Sequence, residues 1–251
     1  GLSRLIRWPL FSLWQPSPNF FLTLVSVYPY IVGSNSTVAD ATRKETPKML
    51  LTEKYRPTTP TQFVGLDKAK RLCAKLIANP FDSAWLFVGA SGTGKTTLAL
   101  ALAEELQAEL HHIPSQGCTV LAVSELRHKL AYLPAMGRKM HLVLIDEADQ
   151  MSLQAQLAFL SILDSTNRPQ QTIFVFTCNE TERFEARFLS RVLPVEFSSY
   201  GLAKDATALL ARVWEEEAGG AEAPNFARIV KESNNNVRAA LMELQKELML
   251  K

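Results

Sequence analysis

From about residue 67 onward, short apolar runs alternate with longer amphipathic stretches. Residues 85–88 read Trp-Leu-Phe-Val, 141–145 read His-Leu-Val-Leu-Ile, and 172–177 read Thr-Ile-Phe-Val-Phe-Thr. Runs of this length, rich in aromatic and branched side chains, are those of strands buried on both faces. Residues 109–113 and 192–197 predict two more strands. Helical patterning covers 67–78, 98–110, 119–133 and 152–163. In the last of these, Leu153, Leu157, Leu160 and Ile162 are predicted to face inward, with Gln154 and Gln156 on the more polar side. Such alternation predicts an α/β fold, a five-stranded parallel sheet covered on both faces. Residues 203–217, 224–233 and 235–250 predict three further helices, broken at Gly219-Gly220, forming a small lid. The expected division is an atypical segment at 1–48, a core at 49–200 and a helical lid at 201–251.

The first 48 residues differ from the rest. Residues 1–32 are apolar and aromatic, with prolines at 9, 16, 18 and 29. A membrane anchor at 20–32 would be short for a span and is interrupted by Pro29. A secretory signal clashes with the chemistry that follows, and a genuine extra segment is the third reading. The reading preferred from the sequence is translation starting at Met49. The sequence opens on Gly1, and Arg43-Lys44-Glu45 can be written in purine-rich codons just upstream of Met49.

With 251 residues and 47% hydrophobic content, the chain can bury one sizeable core and a small satellite. Cys73, Cys118 and Cys178 lie far apart, giving neither a disulfide framework nor a four-ligand zinc site, so a reducing cytoplasm is expected. His111 and His112 are adjacent, face opposite ways in a strand, and read as poor metal ligands. The net charge is +2, but residues 1–48 carry five basic and two acidic residues. This leaves 22 basic against 23 acidic in the remainder. Bulk charge therefore gives no argument for nucleic acid, and any such contact must be local.

The chemistry concentrates at 89–97, which reads Gly89-Ala90-Ser91-Gly92-Thr93-Gly94-Lys95-Thr96-Thr97. A glycine, four residues, then Gly-Lys-Thr between a strand and a helix is the P-loop pattern. Its backbone N–H groups converge on anionic oxygens, and the helix adds its positive end. Lys95 would reach the β- and γ-phosphates of ATP, and the Thr96 hydroxyl would ligate Mg²⁺. Residues 141–145 end in Asp146-Glu147-Ala148-Asp149. An acid at the C-terminal end of a parallel strand points into the ligand crevice, so Asp146 is expected in the metal shell and Glu147 as general base. Asn179 ends another strand, where its amide can hold the attacking water or touch the γ-phosphate. The arm at 51–57, with Pro57 and Pro60, is either plain extended chain or a pad for a nucleotide base. Lys68, Lys70, Arg71 and Lys75 form a solvated helix face or, less favoured, a DNA patch.

Taken in order, Glu53-Lys54-Tyr55-Arg56-Pro57, the P-loop, the acidic box, Gln154-Ala155-Gln156-Leu157, Asn179, Ser190-Arg191 and Arg238 resemble an AAA+ ATPase. Within that class, residues 50–250 look like the clamp-loader group, the replication factor C small subunit and the bacterial polymerase III γ and δ′ subunits. The resemblance implies a Mg²⁺-dependent ATPase in which Tyr55, Arg56, Pro57, Val64 and Gly65 line the adenine side. Asn179 is then sensor 1 and Arg238 sensor 2, while Arg191 is an arginine finger acting in a neighbour's site. It also implies a homo- or hetero-oligomeric ring or arc, with a sliding clamp and primer–template DNA as partners, no membrane and no zinc. Val192 stands where the family carries cysteine, 114–117 reads Pro-Ser-Gln-Gly in place of Ala-Ser-Asp, and Ser124 replaces a frequent arginine. The zinc-binding cysteine cluster of the bacterial subunits is missing. The sequence stops at Lys251, short of the family's collar domain, which implies assembly through the ATPase faces or on another protein. The alternatives are a branch-migration or initiator-type motor, a scaffold that binds ATP without turnover, and a small-molecule kinase.

Overall fold

The computed structural model describes residues 49–135, 137–198 and 201–250. The expectations for residues 1–48 lie outside the described residues. Five strands, β1 (Ser83–Gly89), β2 (Ala108–Pro114), β3 (Met140–Asp146), β4 (Thr172–Cys178) and β5 (Leu193–Phe197), form one sheet in the order β2-β3-β4-β1-β5. Every pairing is parallel. Pro194 sits on the edge strand β5, where a missing N–H costs no ladder bond on the outer side.

Alternate residues of each strand feed opposite layers. Leu142, Leu144 and Val175 pack with α2 (Asp67–Ala78) and α3 (Lys95–Glu105), through Cys73, Leu98 and Leu102. Val143, Ile145, Phe174 and Phe176 pack with α4 (Val120–Lys129), α5 (Leu153–Leu163) and α6 (Ala186–Leu189), through Leu126, Phe159 and Phe188. Three helices, α7 (Leu202–Glu217), α8 (Phe226–Glu232) and α9 (Val237–Met249), enclose Leu210, Trp214, Ile229 and Leu244. No helix among the described residues is long and apolar enough to cross a membrane.

Three expectations change. The helix expected over 98–110 ends at Glu105, because Gln107 takes a left-handed backbone (φ 51°) that turns the chain into β2. The buried side of α5 is Ala155, Phe159, Ile162 and Leu163, leaving Leu153 48% and Leu157 38% exposed. Gln156 is instead buried, its Nε2 donating to Arg183 O (3.1 Å) and its Oε1 accepting from Glu185 N (3.0 Å). It pins the loop leading into α6.

The third change concerns the arm. Its first turn, α1 (Leu51–Lys54), packs with the lid helices, where Leu51 and Tyr55 join their apolar cluster. Leu51 N donates to Gln245 Oε1 (3.1 Å), and the Tyr55 hydroxyl donates to Glu217 (2.6 Å) and Glu216 (2.8 Å). Lys54 Nζ lies 2.5 Å from Glu217. Burial, then the hydrogen bonds to these carboxylates, raises the Tyr55 phenol above its usual range, while the Lys54 and Tyr55 bonds lower Glu217. The arm counted with the core from sequence is thus rooted in the lid. Only from the single turn Pro60–Gln62 onward does it rest on the sheet side, where Phe63 joins the α2–α3 layer.

Candidate active site

β1 lies between β4 and β5, and β4 lies beside β3, so the C-terminal ends of β1, β4 and β3 stand side by side. Val88 is level with Cys178 and Ile145 with Phe176. This register puts the loop at 90–94, Asn179 and Asp146 along one rim, the crevice position for a ligand in a parallel sheet.

Lys95 begins α3 and is buried, with Nζ donating to Gly89 O (2.6 Å), Ala90 O (3.0 Å) and Asn179 Oδ1 (3.1 Å). Burial lowers its pKa from the usual lysine range, and nearby Asp149 and Asp146 counteract that shift. Thr96 Oγ1 donates to Asp146 Oδ1 at 2.6 Å. The same Oδ1 accepts from Thr177 Oγ1 (2.5 Å), which in turn accepts from Glu147 N (3.0 Å). Glu147 itself is left-handed (φ 53°), so the chain turns sharply and its carboxylate is exposed on the wall of a pocket of about 150 Å³. Ser91, Lys95, Thr96, Asp146, Asn179 and Arg238 line the same pocket. Cys178 also borders it, but its thiol is pushed up to about 12 by burial and stays neutral.

A larger cleft of about 640 Å³ adjoins it, with Gly92, Gly94, Thr97, Arg56 and Arg238 common to both. Tyr55, Pro57 and Val64 line this cleft from the arm, Thr93 from the loop, and Leu209, Val237 and Leu241 from the lid. Gly65 does not line it. Its left-handed backbone (φ 60°) instead lets the arm press on Leu202, whose Cδ2 a Cβ would strike. Gly89 and Ala90 contribute their carbonyls to Lys95 and Thr93. Arg191 lines neither cavity. Its Nη1 donates to Arg187 O (2.8 Å), and its Nη2 lies 3.5 Å from Asp164, beyond the end of α5.

Three residues of the site escaped the sequence reading. Thr177 couples Asp146 to the Glu147 backbone, and a polar residue ending a buried strand was its visible signal. Asp149 is buried and accepts from Asn179 N (3.2 Å), and its Oδ1 has no hydrogen-bond partner among the described residues. Asn236 caps α9, its Oδ1 accepting from Ala239 N (3.1 Å), while its Nδ2 donates to Ser91 O (2.8 Å) in the phosphate loop. Gly92 (φ 77°) leaves the room this requires, since a Cβ there would collide with the Asn236 amide. Asn236→Ala is expected to lose about 1 kcal/mol of stability with the cap and to weaken nucleotide binding. Asn236→Asp keeps the cap but loses the bond to Ser91 and sets a negative charge against the loop, so it should weaken binding while holding stability. Thermal melts and nucleotide titration of the pair separate the two roles.

A family model described as "ATPase family associated with various cellular activities (AAA)" matches residues 85–200. Replication factor C small subunit 2 of Pyrobaculum islandicum is 30% identical over 203 residues, 77% of this chain and 62% of that protein. Replication factor C small subunit 1 of the same organism is 32% identical over 155 residues, 58% of this chain and 46% of that one. The chain spans between 46% and 62% of the length of these curated relatives. Among solved structures, the Thermotoga maritima RuvB Holliday junction branch migration motor superposes with a TM-score of 0.60 at 19% identity, covering 76% of this chain and 64% of that one. That likeness speaks to the fold. With the β2-β3-β4-β1-β5 sheet and the loop and acidic box along one rim, residues 85–200 match the AAA ATPase family model, and the chain is similar in sequence to replication factor C small subunits.

Proposed function

We propose that the chain hydrolyses ATP and works as a clamp-loader-type subunit in DNA replication. The observation that carries the first half is the convergence of Lys95, Thr96, Asp146, Glu147 and Asn179 on one small pocket beside a cleft of nucleotide size. The adenine would enter the larger cleft between the arm and the lid. Its phosphates would meet the N-terminus of α3, where the loop amides and Lys95 match their charge.

Magnesium fits the hard oxygens of Thr96 and Asp146, 2.6 Å apart, and when bound would neutralise charge on the phosphates. The rest is done by side chains. The Glu147 carboxylate takes a proton from water as the water oxygen attacks the γ-phosphorus, and the bond to the β–γ bridging oxygen breaks, leaving ADP and phosphate. Asn179 holds that water or a γ-oxygen. Arg238 reaches the pocket from α9, so the lid can respond to the γ-phosphate.

Similarity to replication factor C small subunits supports the second half. So does Arg191, which lines neither cavity of its own subunit and is held instead by Arg187 O and Asp164, as suits a finger serving a neighbour. Supplying it in trans needs head-to-tail contacts, hence a ring or arc. Primer–template DNA together with a sliding clamp is expected to stimulate ATP turnover beyond either alone. Stimulation by branched DNA, with none from clamp and primer–template, would transfer the chain to a branch-migration role.

A further inference from the structure

The other end of β2 and β3 carries a second cluster. Glu109 is level with His141 across the β2–β3 pair, and His111 follows two residues along the same face. Asp146 lies five positions along β3 from His141, about 16 Å at ~3.3 Å per residue, so the cluster is distinct from the pocket at the other end. His111 Nε2 lies 3.0 Å from His141 Nδ1 and 3.9 Å from Glu109 Oε1. His141 Nδ1 lies 3.6 Å from Glu109 Oε2. A tetrahedral zinc with bonds of ~2.0–2.1 Å holds its ligand atoms about 3.3–3.4 Å apart. The His–His separation is slightly shorter than that value and each histidine's approach to a Glu109 oxygen slightly longer, and one ligand atom from each residue lies within 4.8 Å of the other two, so small side-chain rotations would bring them to it.

The surroundings prepare these atoms for a cation. His141 Nε2 is 2.9 Å from Tyr132 O, and because a carbonyl only accepts, the ring proton sits on Nε2. The Nδ1 lone pair is thereby turned toward His111 and Glu109, the arrangement in which an outer hydrogen bond fixes a ligating imidazole. Glu109 Oε2 accepts from Ala135 N (2.7 Å), which holds the carboxylate in place. His141 is 2% exposed, whereas the side chains of His111 and Glu109 keep 13% and 31% of their surface, leaving one side open to a water ligand. We propose that Glu109, His111 and His141 bind a zinc-class divalent cation, through two imidazoles and one carboxylate, that fastens the edge strand β2 to the turn at 130–135. His111 and His112 do face opposite ways, but the partner of His111 lies across the sheet, where spacing along the chain could not reveal it.

The test uses the full chain, stripped with chelator and dialysed, then titrated with Zn²⁺ in excess Mg²⁺. Co²⁺ serves as the coloured probe of coordination geometry. One equivalent should bind, with a raised melting temperature and a tetrahedral Co²⁺ spectrum. His111→Gln and Glu109→Gln should each weaken binding about 100-fold or more, and His112→Gln should leave it unchanged. A folded chain that takes up no Zn²⁺ at micromolar levels would overturn the proposal, leaving a hydrogen-bonded His–His–Glu cluster. So would one-equivalent binding that keeps its affinity in both the His111 and Glu109 variants.

Discussion

Glu147→Gln is expected to keep ATP binding and lose about 10²–10⁴ in turnover, the range assigned to a positioned general base. The substitution is clean for structural reasons. Glutamine matches glutamate in size, and the side chain is exposed to the pocket, so no packing is lost. The left-handed backbone at this position strains both residues alike, and Glu147 N keeps its bond to Thr177 Oγ1. Only the basic oxygen disappears. Binding measured by titration with nucleotide, beside single-turnover hydrolysis, reads the two effects separately. Turnover near the wild-type rate would remove Glu147 from the role and direct attention to another group on the rim.

Arg191→Ala is expected to cost about 10³–10⁵ in turnover, the range for a finger that stabilises transition-state charge, while the fold stays intact. The guanidinium is partly solvated, and its approach to Asp164 is long at 3.5 Å, an arrangement that contributes little to stability. The Asp164 carboxyl is held below its usual range chiefly by the Thr166 backbone and hydroxyl, with Arg191 adding less, so its setting survives the change. Mixing Arg191→Ala with Lys95→Ala should restore part of the activity, because each variant supplies what the other lacks across a shared interface. Absence of rescue in a mixture shown to co-assemble would argue that Arg191 does not act between subunits.

The sheet and phosphate loop were legible because their signals are local. A strand buried on both faces is almost wholly apolar, as at 142–145, and a loop that turns N–H groups inward must carry glycine and then Lys95. Other features depend on what comes from elsewhere in the chain. Gln156 sits one position from Ala155 and looks solvent-facing by periodicity, yet it is buried because the loop at 183–185 offers it a carbonyl and an N–H. Leu153 and Leu157 were predicted inward, but the inward stripe of α5 runs through Ala155 and Phe159. Asn236 reads as an ordinary helix cap. Its second bond, to Ser91, spans 145 positions and follows only from how the lid meets the loop.

The arm has a mechanical corollary. Residues 51–55 are anchored among the lid helices, and Phe63 is anchored beside α2 and α3. A rotation of the lid would bear on the bonds near 56–60, where Pro57 and Pro60 each immobilise one torsion, and on the close approach of Gly65 to Leu202 of α7. The same short strap carries Arg56 and Pro57 at the mouth of the large cleft. If the cleft takes a nucleotide as proposed, a lid rotation would move Arg56 and Pro57 along with the cleft wall, coupling the lid's position to the site for the base.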